Sequence, residues 1–409
     1  MTSRRIVITG MGAVSSLGQG LEATWSALES GRSGISQLDR TVDAEGKHRY
    51  VGPAGVAPPL DTAAMEARLG ARPFAHLDPF AAFAVAAGYE ALNQSGLYGD
   101  PVLKGRSAIL WGAGSGGNQT LEECYARSFL RGATNVHPLT IPKQMISAPA
   151  SHLSMVFGIE GPTFTVASAC ASSGHAIGEG LWMLRSGRAD VALVGGSEAA
   201  LTYGSWLGWL ALKAMADDAC RPFSLERRGM VLGEGAAALV IETEEHARAR
   251  GATIIAELAG YGATSDAHHI TMPHGRGAEA AIRMAHEDAG LSLDSPVLVS
   301  SHGTGTPLND KIESAALRNV YGARLDDSLV IATKSSHGHL IGGAAALELV
   351  TGVLALNAGL APGVLNSKGQ DPECDIPVPY QNQKISYEAL VSNSFAFGGL
   401  NAVLIAKRV

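Results

Sequence analysis

Charge and aromatic side chains are both scarce in this chain: charged residues make up 17% of it and aromatic residues 6%. A chain this apolar is not a disordered, self-repelling polymer. Basic residues are the minority sign, 31 against 38 acidic, giving a net charge of −7 with no basic stripe for general nucleic-acid binding. Cysteine is limited to Cys124, Cys170, Cys220 and Cys374; none forms a CxxC pair, and the spacing suits neither a zinc site nor a disulfide scaffold. No apolar run reads as membrane-spanning, because the longest candidate, Ala344 to Leu356, carries Glu348 and Gly352. The opening residues pass into a strand pattern by Arg5 without a signal-peptide pattern, so the expected compartment is the cytoplasm, with reduced thiols. Glycine is plentiful, 50 of 409 residues, beside 46% hydrophobic residues: the composition of a compact core packed from small side chains.

The length allows two or three average domains or one large two-part core. An ordered repeat favours the two-part core. Arg5 to Ser16 resembles Ile254 to Ser265, and a helix pattern follows each, over 79–95 and 277–289. Ser107 to Gly117 pairs with Pro296 to Thr306, the strand-turn-helix unit around Cys170 with Leu329 to Gly342, and Ala189 to Glu198 with Leu390 to Gly399. Alternating strands and helices imply βαβ crossovers and mainly parallel sheets covered on both faces. The expected fold is α/β: two pseudo-repeated halves, residues 1–250 and 251–409, in a five-layer α/β/α/β/α sandwich. Chemistry is expected where both halves present strand-to-helix turns. Residues 112–162 and 201–228 exceed the repeat and carry Met145, Tyr203, Trp206 and Trp209. They read either as insertions that cover the site or form a subunit interface, or as ordinary satellite packing.

Cys170 follows an apolar, β-branched run (Thr163 to Val166), and an amphipathic helix pattern continues to about Arg185. A thiol at such a junction lies at the first helical turn, whose free N–H groups and dipole favour a thiolate able to act as nucleophile at neutral pH. The plain alternative is a small buried hydrophobe. Three second-half turns carry matching chemistry: His302-Gly-Thr304-Gly-Thr306 after the strand 297–301, Lys334-Ser-Ser-His337-Gly-His339 after 329–333, and Asn393 to Asn401 after 390–392. Two histidines at corresponding strand ends suit hydrogen-bond donors, a general acid and base, or a Cys–His pair. The Gly-rich third turn frees backbone N–H groups for an oxyanion hole.

With these residues in hand, the whole chain resembles the β-ketoacyl-acyl-carrier-protein synthases of the elongating type II kind, which have a thiolase-like fold. The resemblance rests on Ser168-Ala-Cys170-Ala, His302-Gly-Thr-Gly-Thr, Lys334-x-x-x-Gly-His339-Leu-x-Gly, Asn393-Ser-Phe-x-Phe-Gly-Gly-x-Asn, Arg221-Pro-Phe and Gly233-Glu-Gly. It implies that Cys170 takes an acyl chain from a carrier protein as a thioester. His302 and His339 would promote malonyl decarboxylation, and the carbanion would attack the acyl-Cys carbonyl. The N–H groups of Cys170 and Phe397 would form the oxyanion hole. Phe397, with Phe395 and Gly398 beside it, would gate malonyl access. Thr304 and Thr306 would contact the phosphopantetheine arm, and Lys334 would be a buried cation paired with Glu348, since a buried lysine needs a partner. Lys213 falls where the family carries a basic contact for the acidic carrier protein; a solvated surface lysine is the alternative. The resemblance implies no metal and no cofactor beyond the carrier's phosphopantetheine. The implied partners are acyl carrier protein and a second subunit, either an identical copy or a chain-length-factor homologue.

The chain also departs from the family pattern. Ala396 and Leu400 replace Gly and Thr in the gating loop, and Ala396 is expected to stiffen it, since Gly alone is free at φ > 0. His337 stands where a hydroxyl residue is usual. Ser115 stands where a large aliphatic side chain commonly narrows the acyl pocket. Leu201-Thr-Tyr-Gly-Ser-Trp, Trp209-x-Ala-Leu and Asn393-x-Phe-Ala-Phe-Gly-Gly-Leu-Asn are similar to nodulation-type and aryl-polyene-type ketosynthases, so a specialised polyunsaturated or aryl-capped chain is expected. A thiolase would need a second reactive Cys in the last Gly-rich turn, where Phe395 and Phe397 stand. A non-catalytic chain-length factor would lack the nucleophile. Gly10-Met-Gly12 is an incomplete dinucleotide fingerprint, and Ala113-Gly-Ser115-Gly-Gly117 an incomplete nucleophile elbow. His268-His269 and His337-x-His339 lack the carboxylates or thiols of a metal site.

Overall fold

The computed structural model describes residues 4–70 and 73–409. The first half is built on β1 (Ile6–Ser15), α1 (Pro79–Ser95), β2 (Ser107–Gly112), β3 (Thr163–Val166), α2 (Ser172–Arg185), β4 (Val191–Glu198), α3 (Tyr203–Ala211) and β5 (Gly235–Thr243). The second uses β6 (Ala256–Ser265), α4 (Gly275–Ala289), β7 (Leu298–Ser300), α5 (Pro307–Tyr321), β8 (Leu329–Ile331), α6 (Ala344–Ala358), β9 (Ala389–Ala396) and β10 (Leu400–Lys407).

Hydrogen bonding orders the strands β3-β2-β4-β5-β1-β6-β10-β9-β7-β8. Read outward from the β1–β6 join, the two halves follow one topology. The join is short and antiparallel, Val7 opposite Glu257 and Ile8 opposite Ala256. The sheet is mixed, which corrects the mainly parallel expectation. β2 runs parallel to β3 and β4, and β7 to β8 and β9, while the strands nearer the join are antiparallel. The reason is local at β9–β10: only Phe397–Gly399 link them, far too short for the crossover a parallel pair needs.

Helices α2 and α6 pack on each other and touch strands of both halves, while α1 covers the first half from outside and α4 with α5 the second. These are the five layers. α1 begins with Pro79 at its first position and the Asp78 side chain accepting the Phe80 N–H, and ends at Gly96 with φ +75. It lies directly on β1 because Gly10 and Gly12 have no side chains; a Cβ on either would sit 2.1 Å from the Ala91 or Ala87 carbonyl oxygen. Close strand–helix packing thus accounts for the two glycines of the apparent dinucleotide fingerprint.

The stretch Ile341–Ala358, mean hydropathy 1.6, is long and apolar enough to cross a membrane, contrary to the sequence-based expectation. It is 83% buried inside the fold, as an all-round apolar core helix must be. Its one acid, Glu348, is buried against Lys334. In the 201–228 insertion, Trp206 packs on Tyr50 at 5.6 Å between ring centroids, and Trp209 reaches the site. The 112–162 insertion leaves Tyr125, Phe129 and Met145 exposed, and the edge strand β3 leaves Phe164 exposed.

Candidate active site

Cys170 lies in the tight turn Ala169–Ala171 between β3 and α2. The Ser172 hydroxyl locks this turn, donating to the Ala169 carbonyl at 2.6 Å while accepting the Ser168 N–H at 2.9 Å. Gly112 lets the helix start press on the end of β2; a Cβ there would lie 2.2 Å from the Ser173 nitrogen.

His302, His339 and Cys170 converge from three different turns. The Cys170 sulfur and one nitrogen of each ring lie within 4.8 Å of one another, and the two rings meet edge to face at 5.4 Å. His339 Nδ1 accepts the Ile341 N–H at 3.2 Å, and His302 Nδ1 lies 3.4 Å from the Lys334 ammonium, which can only donate. Each neutral ring therefore carries its proton on Nε2. Burial, followed by Lys334, holds both histidines well below their usual range, so both are uncharged at neutral pH. This trio is the one close cluster of three metal-ligating side chains among the described residues. The Lys334 ammonium beside His302 opposes a second cation there.

Lys334 is fully buried, donates to the His302 carbonyl at 2.6 Å, and pairs with Glu348 Oε1. Burial pushes the Glu348 carboxyl up to about 7 against the pull of Lys334. The His302 loop is held from behind by Glu313, which accepts the N–H groups of His302 and Gly303 at 2.7 and 2.8 Å. Asp310 holds those of Gly305 and Phe223, at 3.2 and 2.8 Å. Neither acid was singled out in the sequence. Their signal was available: two carboxylates three apart in the first turns of the helix that follows the His302 loop put both on one face.

The thiol differs from the sequence-based expectation. Burial pushes Cys170 up to about 11, with Lys334 and the Phe397 N–H acting against it. At neutral pH the resting thiol is protonated: desolvation outweighs the helix terminus.

The Asn393–Asn401 segment is likewise not one long turn. Asn393 to Ala396 belong to β9, with Phe395 opposite Asn401 and Ala396 opposite Leu400. Positive φ occurs at Gly398 (+83) and Gly399 (+70) and not at Ala396, so the φ-based argument for stiffening by Ala396 does not hold. Gly398 donates to the Ile270 carbonyl and Gly399 to that of Ala396, which leaves the Phe397 N–H directed at Cys170. The Phe397 ring stacks on Trp209 at 5.8 Å.

A cavity of about 350 Å³ leads to Cys170, His302 and His339. Thr304, Thr306, Phe395, Phe397, Gly398 and Lys213 also line it, and Thr304 Oγ1 and Thr306 Oγ1 are 2.9 Å apart. Ser115 does not line this cavity. It is exposed and donates to Glu198 Oε1 at 2.8 Å, on the far side of the turn that follows His339. Burial pushes Glu198 up to about 7. His337 is fully buried, with Nδ1 2.7 Å from the Gly338 carbonyl and Nε2 3.0 Å from Thr333 Oγ1. His268 and His269 are exposed.

Comparison with known proteins matches residues 3–247 to the N-terminal domain of β-ketoacyl synthases and residues 255–368 to their C-terminal domain. The chain is 42% identical to nodulation protein E of Rhizobium leguminosarum bv. trifolii, over 99% of this chain and 100% of that one. It is 36% identical to 3-oxoacyl-[acyl-carrier-protein] synthase 2 of Synechocystis, over 100% and 99%. Among solved structures, the ishigamide ketosynthase/chain length factor superposes with a TM-score of 0.91 at 33% identity, covering both chains completely. Sequence, topology and site geometry agree, and the chain belongs to the β-ketoacyl synthase family.

Proposed function

We propose that this protein is a 3-oxoacyl-[acyl-carrier-protein] synthase that elongates carrier-bound acyl chains by decarboxylative condensation. In the first step the Cys170 sulfur attacks the acyl thioester; the carrier's phosphopantetheine thiol leaves with the proton, and the acyl group remains on Cys170. In the second, malonyl carrier loses CO₂. The electron pair of the broken C–C bond becomes an enolate, to which His302 and His339 donate from Nε2. The enolate carbon attacks the acyl carbonyl, whose oxyanion faces the N–H groups of Cys170 and Phe397. The Cys170 thiolate departs and takes up one proton from solvent, leaving β-ketoacyl carrier protein and the resting thiol. The observation that carries this reading is the pair of buried histidines, each with its Nδ1 facing a donor so that Nε2 is left to donate, beside a thiol. Such a pair suits an enolate, which needs two donors and no competing base.

In this scheme Lys334 and Glu348 position His302, Thr304 and Thr306 meet the phosphopantetheine arm, Phe395, Phe397 and Gly398 form the malonyl gate, and Lys213 at the mouth meets the acidic carrier. The substrates bring their own prosthetic arm, so the chemistry calls for no resident cofactor. Residues 1–250 and 251–409 act as the two halves of one unit, a division supported by the repeated strand order. The exposed edge β3 and the apolar 112–162 surface suit a dimer. The partner is a second copy or, as the name of the ishigamide relative suggests, a chain-length-factor homologue. Greater identity to nodulation protein E (42%) than to 3-oxoacyl-[acyl-carrier-protein] synthase 2 (36%) supports a specialised unsaturated or aryl-capped chain over a saturated one.

The test is intact-protein mass spectrometry with carrier proteins bearing saturated, polyenoyl and aryl-enoyl thioesters. An acyl adduct is expected on the wild type and not on Cys170→Ala. No adduct from any donor would refute the assignment, and preference for saturated medium chains would refute the specialised one. A one-to-one complex with a Cys-less homologue on purification would identify the heterodimer.

A further inference from the structure

Ile341 is buried yet held at φ +43, a left-handed conformation that β-branched residues avoid. Such strain persists only where the surroundings enforce it, and it concentrates at functional sites. Here the surroundings reach in two directions. Toward the cavity, the Ile341 N–H is the donor that fixes His339 Nδ1, at 3.2 Å. Away from it, the Ile341 Cγ2 methyl closes on Gly114, where an added Cβ would come within 2.8 Å of it. The wall is completed by Glu198, whose Oε2 accepts the N–H groups of Gly114 (2.8 Å) and Gly342 (3.2 Å) and whose Oε1 accepts from Ser115. The turn Ile341–Gly343 also packs on the Cys170 turn. It therefore stands between the nucleophile and the Gly114–Ser115 wall.

Resting on the condensing reading above, we propose that Ile341 is the closed gate of an acyl-chain pocket running from Cys170 toward Gly114 and Ser115, and that its amide ties the state of that gate to His339. A chain seated on Cys170 displaces the Ile341 side chain. The left-handed backbone relaxes as it yields, and the N–H that holds Nδ1 moves with it. The orientation of the His339 Nε2–H, and with it malonyl decarboxylation, then depends on whether Cys170 is loaded. Ile341 is a positioning residue: it touches no reacting atom and acts through His339.

The test compares the wild type with Ile341→Gly, which keeps the left-handed backbone without strain or side chain, and Ile341→Phe, which enlarges the plug. Two readouts are taken: CO₂ release from malonyl carrier with and without an acyl donor, and loading of Cys170 by long-chain relative to acetyl carrier. In the wild type the donor is expected to stimulate CO₂ release. Ile341→Gly is expected to bring that stimulation ratio close to one and to raise relative long-chain loading about tenfold, and Ile341→Phe to lower it about tenfold. A folded Ile341→Gly with unchanged stimulation and unchanged chain preference overturns the proposal, whether or not Ile341→Phe folds. So does a wild type with no stimulation to lose. Absence of any adduct on wild-type Cys170 instead overturns the condensing reading, and the gate with it.

Discussion

The turns Ala169–Ala171 and Ile341–Gly343 are the same piece of structure put to different uses. Each is a short 3₁₀ turn opening one of the two central helices, and each starts with a non-glycine residue at positive φ, +49 at Ala169 and +43 at Ile341. The two helix starts are joined by the Ala346 N–H, which donates to Ser173 Oγ at 3.0 Å. In the first half the second position of the turn carries Cys170. In the second half the same position is Gly342, where a Cβ would lie 2.2 Å from the Gly114 nitrogen. The repeat supplies two equivalent stations facing one core, and only one has room for a side chain. The second half presents His339 to the cavity from the preceding loop instead. Burial acts on both halves alike in favouring neutral forms, raising the thiol and lowering the histidines.

The comparison can be broken most forcefully at the pair that supports the second half. Lys334→Met leaves Glu348 buried without its cation and should cost about 3–5 kcal/mol, while adding Glu348→Leu should restore most of it. Denaturant midpoints of the two variants decide, and equal destabilisation would mean that the pair is not the cause. Next comes the station itself. Gly342→Ala should destabilise by about 3 kcal/mol, because the atoms it strikes are the backbone of Ala113 and Gly114. Cys170→Ala should keep the fold and lose only reactivity, so thermal unfolding of both variants sharpens the contrast between the stations.

The smallest effect concerns His337. Burial, with Lys334 adding to it, pushes His337 down to about 3. Between that value and about 6.5 the unfolded chain binds a proton that the folded one refuses, so this residue lowers stability as pH falls. From pH 7 to pH 5 the wild type should lose about 2 kcal/mol more than His337→Asn, a difference that isolates this histidine from the buried carboxylates titrating oppositely. Parallel pH profiles for the two proteins would show that His337 does not titrate this way.

Much of this was legible in the sequence because it was local. A β-branched run into small residues announces the Cys170 turn, Pro79 and Gly96 bracket α1, and the order of units announces two like halves. The errors have a common origin in partners distant along the chain. Strand direction depends on which neighbours pair, so the antiparallel strands near the join could not be read. Ala396 read as a loop residue until its pairing with Leu400 placed it on β9. Ala344 to Leu356 read as interrupted by Glu348 and Gly352, yet Glu348 is buried against Lys334 within an apolar stretch that runs from Ile341 to Ala358.

Residue type and short-range pattern were enough for the family, the order of the elements and the three turns that converge on Cys170, because that information is local. Only the tertiary structure decided their states. Protonation of Cys170 follows from how far it is buried, the histidine tautomers from which N–H or ammonium meets each Nδ1, and the strain at Ile341 from two walls that close on it from different halves. A sequence gives no warning of left-handed backbone at isoleucine, since local preference argues against it. It is imposed by contacts between residues more than two hundred positions apart, such as Ile341 and Gly114.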